Sequence, residues 1–154
     1  CDDDIKYPQN YIQTMISKMK EYENKAVLSL YGEIALRPFK NYVNGRKGYG
    51  FELEIPSDLI VDIVGVGCCV FHTQYLRPTI LNFPDIYCRD MWFSILAKKT
   101  NLKLIRIASP NKWLDFYSTP GSPEIRLIWS TTESLIKRRE EIWNNIFIPL
   151  LGNS

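Results

Sequence analysis

Segments with helical and strand periodicity alternate along this chain, and that alternation constrains the fold more than any other feature. Ile12, Met15, Ile16, Met19 and Tyr22 recur at the spacing of one helix face, and Pro8 suits a first turn. This predicts a helix over about 9–23. Lys25 to Tyr31 (KAVLSLY) is short and rich in strand formers. From 32 to 50, four glycines, a proline and scattered basic residues read as a long surface loop. Strands are expected at Phe51 to Ile55 and Leu59 to Val64, separated by Pro56-Ser57-Asp58. Gly65-Val66-Gly67 interrupts the apolar run before Cys68-Cys69-Val70-Phe71-His72.

Two prolines between Thr73 and Tyr87 predict irregular or short helical structure. Arg89 to Thr100 reads as a helix, with Asp90 at or just inside its start and Lys98-Lys99 at its end, as the helix dipole favours. Leu102 to Ala108 (LKLIRIA) alternates as a strand, and Pro110, Pro120, Gly121 and Pro123 punctuate a second loop. Ser130-Thr131-Thr132-Glu133 fits a capping box opening a last helix to about Phe147, whose KRREE run at 137–141 is most simply a solvated face. The expectation is an α/β domain with a mixed sheet flanked by helices, and 1–154 as a single domain.

Composition narrows the function classes. The hydrophobic share of 45% supports a packed core, and 19 Lys+Arg against 17 Asp+Glu leave +2, too balanced to argue for nucleic acid. One histidine excludes a two-histidine metal motif, so catalysis would rest mainly on carboxylates. Cys1, Cys68, Cys69 and Cys88 form no C-x-x-C pair and are expected as reduced, buried thiols. The longest apolar stretch, Leu59 to Phe71, contains Asp62 and falls short of the ~20 residues a transmembrane helix needs.

Four groups of residues carry candidate chemistry. In Asp2-Asp3-Asp4, alternation along an extended segment would converge Asp2 and Asp4 and turn Asp3 away. Converging carboxylates stay ionised cheaply only around a cation, and hard oxygen ligands suit Mg²⁺ or Mn²⁺. A solvated acidic terminus is the plainer alternative. Asp90, followed by Met91-Trp92-Phe93, is either a helix cap worth ~1 kcal/mol or a general base beside an indole. Gly65 and Gly67 permit either a close ligand approach or a sharp turn between core strands. His72 fits a metal ligand, a proton carrier or a hydrogen-bonded strand end. Trp113, in Lys112-Trp113-Leu114, fits a sugar-stacking loop or the core.

In this order, DDDIKYP, the amphipathic helix, the strand ending Leu30-Tyr31-Gly32, VGVGCCVFH at 64–72, Asp90-Met91-Trp92-Phe93 and Lys112-Trp113-Leu114 resemble bacterial glycosyltransferases of the family 2 type with the GT-A fold. The resemblance runs to about residue 114. It implies the C-terminal, acceptor-side half of a Rossmann-like GT-A domain, with the nucleotide-binding half expected upstream of Cys1. On its own, the chain would then bind nucleotides weakly and be inactive. The activity implied is inverting transfer of a sugar from a nucleotide-sugar donor to a glycan or lipid-linked acceptor, with Mn²⁺ or Mg²⁺. Carried over by position, Asp2 and Asp4 would hold the metal with His72 as a further candidate, and Asp90 would be the base. Asp3, Gly65, Gly67, Trp92 and Trp113 would contact substrate. Val66 stands where many relatives carry Thr or Ser, which removes a hydroxyl from that turn. The implied location is the cytoplasm, or the inner face of the membrane as a peripheral protein. A non-enzymatic carbohydrate-binding or scaffold domain, or a lipoprotein beginning at Cys1, is the rival reading.

Overall fold

The computed structural model describes residues 1–85, 88–116 and 133–152. Nine strands are named among them: β1 (Ile5–Lys6), β2 (Ala26–Ser29), β3 (Gly32–Ala35), β4 (Arg46–Tyr49), β5 (Leu59–Ile60), β6 (Ile63–Val64), β7 (Cys69–Phe71), β8 (Lys103–Arg106) and β9 (Asp115–Phe116). The helices are α1 (Tyr11–Glu21), α2 (Arg89–Lys99), α3 (Glu133–Ile142) and α4 (Ile148–Gly152), with a π turn at Trp143–Phe147 joining the last two. The class is mixed α/β, as the alternation predicts.

The central sheet has the order β5-β8-β2-β7. Strand β8 runs parallel to β2, while β7 and β5 are antiparallel to their neighbours. Strand alternation explains why its middle is buried on both faces. Leu28, Leu30, Ile105 and Ile107 pack with Tyr11, Met15 and Met19 of α1. Val27 and Leu104 point the other way and pack with Phe93 and Ala97 of α2. Each such apolar side chain contributes about 1.5–3 kcal/mol by leaving water.

Helix α2 is apolar on two sides, because Met91 and Ile95 meet Ile142, Trp143 and Phe147 of the C-terminal helical segment. It is therefore sandwiched between the sheet and that segment, which makes it a rigid mount for whatever its first turn carries. Among the described residues, no helix is long and apolar enough to cross a membrane. Cys68 and Cys88 are buried, Cys69 is half-buried, Cys1 is exposed, and all four are free thiols.

Three expectations are corrected. The stretch 32–50 is not a plain loop, because β3 and β4 pair antiparallel within it, with β6 on the other edge of β3. Its glycines disguise this. Gly32 sits in a strand because an added Cβ would come 2.8 Å from Val61 Cγ1 and 3.1 Å from Arg106 Cβ. The segment 51–55 is not a strand apart from an isolated bridge between Ile55 and Ser109. The carbonyls of Gly50 and Leu53 accept hydrogen bonds from the buried Arg106 guanidinium instead of a ladder. The run 59–64 splits between two sheets at Asp62, whose carboxylate accepts from Ala35 N–H at 2.9 Å and pairs with Lys98 at 3.1 Å. The capping residues at 130–132 lie outside the described residues.

Candidate active-site cleft

The chain turns at Asp3 and Asp4 just before β1, and the side chains of Asp2 and Asp4 line one cleft of about 430 Å³. A turn, rather than an extended segment, brings them together. The N-terminal end is tied down by backbone and phenol contacts: Asp2 N–H donates to the Gly67 carbonyl at 3.0 Å and to Tyr7 Oη at 2.9 Å. Tyr7 Oη in turn donates to the same Gly67 carbonyl at 2.7 Å.

Against this end packs the turn at 65–68, which includes a short 3-10 helix at Val66–Cys68. Gly65 N–H donates to Tyr31 O at 3.0 Å, and Ser29 Oγ donates to Gly65 O at 2.9 Å. Close approach accounts for both glycines, with the Tyr31 side chain packed on Gly65 and the flexible Asp2 carboxylate lying on Gly67. A Cβ on Gly65 would stand 2.9 Å from Tyr31 Cβ, and one on Gly67 would meet the Asp2 carboxylate, with its Cγ at 2.7 Å.

The first turn of α2 completes the arrangement. Ser94 Oγ donates to Asp90 O at 2.7 Å and accepts from Val64 N–H at 3.0 Å. Val66 N–H donates to Asp90 Oδ1 at 2.9 Å. The Asp90 carboxyl thus caps the glycine turn as well as beginning its own helix, with Oδ2 unengaged by any hydrogen bond among the described residues. Burial pushes its pKa up to about 6, against the lowering effect of the Val66 bond. The negative charges of Glu33 and Asp2 add to the rise, and the positive charge of Arg89 opposes it.

Asp2, Asp4, Gly65, Gly67 and Asp90 therefore share one cleft, although more than eighty residues separate Asp4 from Asp90. The other expected site residues are elsewhere. Asp3 is exposed and does not line the cleft. His72 is exposed at the end of β7, because three residues of strand carry it ~10 Å beyond the glycine turn. Its Nδ1 accepts from Gln74 N–H at 3.2 Å, and it borders a separate groove with Ile16, Met19 and Phe71. Trp92 points away from the cleft, its Nε1 donating to Asp85 Oδ2 at 3.1 Å. Trp113 packs on the α1 side of the sheet, 5.8 Å from the Tyr11 ring.

The cleft also holds residues that the sequence reading passed over. Glu33, Arg46, Tyr31 and Tyr42 line it from the β3–β4 region, and Arg139 reaches it from α3. Glu33 is buried at 5% exposure, and its Oε1 accepts from Tyr31 Oη at 2.6 Å and from Arg46. The Arg46 guanidinium lies 4.0 Å from the centroid of the Tyr42 ring. The available signal was a lone acid inside the apolar quartet Gly32-Glu33-Ile34-Ala35. The KRREE run is only partly a solvated face, since Glu140 accepts from Tyr42 N–H at 2.9 Å.

Among the described residues, no group of three or more His, Cys, Asp or Glu side chains is placed to enclose a metal ion. Asp2 and Asp4 both line the cleft, and their carboxylates are the ligand type of Mg²⁺ or Mn²⁺, which commonly takes one or two protein carboxylates and completes its shell with other oxygens. The chain matches no family model and no curated protein.

Proposed function

We propose that this chain carries the acceptor side of a GT-A-type glycosyltransferase, which moves a sugar from a nucleotide-sugar to a glycan or lipid-linked acceptor with inversion. The observation that carries this reading is the gathering of Asp2, Asp4 and Asp90 around one cleft, with the Asp90 pKa raised to about 6. A base of that strength is mostly ionised at neutral pH yet binds a proton far better than an ordinary carboxylate.

In this reading Asp90 accepts the proton of the attacking acceptor hydroxyl. The acceptor oxygen bonds to the anomeric carbon, and the bond to the diphosphate breaks with its electron pair leaving on the phosphate oxygen. Val66 N–H holds Asp90 Oδ1, which orients the carboxyl and leaves Oδ2 to take the proton. Asp2 and Asp4 would hold Mn²⁺ or Mg²⁺, which when bound supplies charge neutralisation at the diphosphate. Gly67 leaves room for the Asp2 carboxylate.

The test is turnover of a panel of nucleotide-sugars by the full-length gene product with Mn²⁺, read as release of nucleoside diphosphate. Metal-dependent release that rises on adding a glycan or lipid-linked acceptor is expected. No release with any donor would sink the proposal. Gly67→Ala gives a second check within it. The displaced group is the end of a flexible side chain, so stability should stay within about 0.5 kcal/mol. The donor KM should nevertheless rise several-fold, because the Asp2 carboxylate has to move. An unchanged donor KM would remove Asp2 from donor binding.

A further inference from the structure

Glu33 presents a problem that its own contacts do not solve. Its two protein donors, Tyr31 Oη and Arg46, both serve Oε1. Oε2 is buried and has no hydrogen-bond partner among the described residues. An ionised carboxylate offers about four lone-pair sites, and a buried ion pair is favourable only where the remaining sites find donors. Yet Glu33 lines the cleft that holds Asp90, and its charge is felt there. The two contacts on Oε1 fix the carboxyl plane and so fix the direction of Oε2.

The chemistry of the missing donor is narrow. Arg46 already balances the charge of Glu33, so a cation gains little. Arg46, Arg89 and Arg139 line the cleft as well as its acids, but an ionised phosphate or carboxylate offers only acceptor oxygens and so cannot serve Oε2. A neutral hydroxyl fits. The same cleft offers a surface for the rest of such a ligand: Phe116, 54% exposed, and Phe51 line it with ring centroids 4.8 Å apart. An exposed aromatic ring in the same cleft as a hydrogen-bond acceptor suits a pyranose, which has an apolar C–H face and a polar edge.

We propose that Glu33 is a specificity-determining residue of the acceptor subsite, its Oε2 accepting a hydrogen bond from a sugar hydroxyl next to the one that reacts, with Phe116 as the stacking platform. This rests on the glycosyl-transfer reading and replaces Trp92 and Trp113 as the acceptor wall.

Saturation-transfer NMR of the full-length gene product with methyl glycopyranosides, and with their monodeoxy analogues, tests it. At least one glycoside should bind saturably, and one deoxy position should weaken binding tenfold or more. A site built to accept from one hydroxyl rejects the analogue that lacks it. Glu33→Asp keeps the charge for Arg46 but withdraws the oxygen by one methylene. That variant should bind the parent glycoside about tenfold more weakly and lose its preference over the deoxy analogue. Phe116→Ala, at an exposed position, should weaken parent and analogue alike and serves if Glu33→Asp does not fold. Equal binding of the parent glycoside by wild type and Glu33→Asp would overturn the proposal, as would equal losses on deoxygenation in both proteins. Absence of glycoside binding by the wild type, or unchanged binding by Phe116→Ala, would overturn it too. Nucleoside diphosphate release in the donor assay, observed alongside any of these failures, would leave glycosyl transfer standing and remove only the Glu33 subsite.

Discussion

Asp90→Asn is expected to lower turnover by ~10²–10⁴-fold while raising the thermal stability of the protein at pH 8. The first effect follows from the loss of a proton acceptor, since an amide cannot take the acceptor proton. The second follows from the cost of burying the charge. The pKa of Asp90 rises from 3.8 to about 6 in the folded protein, chiefly by burial. Between those values the folded state holds more protons than the unfolded chain, so stability falls as pH rises from about 4 to about 6 and stays lower above that.

That gap corresponds to at most about 3 kcal/mol. Contact of the half-buried carboxyl with cleft water, and the loss of a negative charge at a helix start, reduce the expected gain to roughly 1–2 kcal/mol. At ~2–4 °C per kcal/mol, the melt at pH 8 should rise by about 2–8 °C and match wild type near pH 4. The Asn amide oxygen still accepts from Val66 N–H, so the glycine turn should survive. In wild type, kcat/KM should climb through about pH 6 and then level off. A role as a mere cap requires the reverse pattern, a small loss of stability with turnover per folded molecule unchanged. A folded Asp90→Asn protein with wild-type turnover would end the general-base assignment.

Arg106→Met is expected to cost about 3–5 kcal/mol, the largest stability effect of any single change considered. Arg106 is fully buried, and no carboxylate among the described residues lies within ion-pair distance of it. Its work is done through neutral oxygens. One guanidinium nitrogen donates to Ile107 O and to Ser109 Oγ, and the other to Gly50 O and Leu53 O, each at 3.0 Å. Methionine fills similar volume but donates nothing, so three carbonyls lose a charged donor at once. Urea denaturation should show the midpoint falling with the m-value nearly constant. Because Gly50, Phe51 and Glu52 line the cleft, the same change should also loosen acceptor binding. A Met variant within about 1 kcal/mol of wild type would mean that the 50–53 segment is held by something else.

Helices α1 and α2 and strands β2 and β8 were legible in the sequence for a simple reason. Each pairs a strong period with matching end signals, such as Pro8 before α1 and Lys98-Lys99 closing α2, and each packs against its chain neighbours. The β3–β4 hairpin was not legible. Its strands contain Gly32 and Gly48 and charged Arg46 and Lys47, residues whose own preference is for loops, and only pairing along a shared edge overrides it. The candidate site divides in the same way. The acidic segment, the paired glycines and Asp90 could be singled out by residue type, although each also had a plain structural use, as a solvated terminus, a sharp turn and a helix cap. Trp92, Trp113 and His72 could not be placed, because a ring that stacks on a ligand and a ring that fills a core look identical in one dimension.

What the sequence by itself determined is the α/β alternation, the helix and strand character of α1, α2, β2 and β8, and the choice of Asp2, Asp4 and Asp90 as candidate carboxylates. Those properties depend on local period and residue type alone. Only the tertiary structure decided which of those groups meet. Asp2 and Asp4 reach Asp90 through the hydrogen bonds of Gly67 and Val66, contacts between segments some sixty or twenty residues apart. Glu33 enters the same cleft because β3 pairs with β4 and β6, and Arg106 builds one wall by capturing carbonyls more than fifty residues away. Hydrogen bonds between distant backbone groups leave no periodic trace in a sequence, because any residue type except proline can supply both the donor and the acceptor.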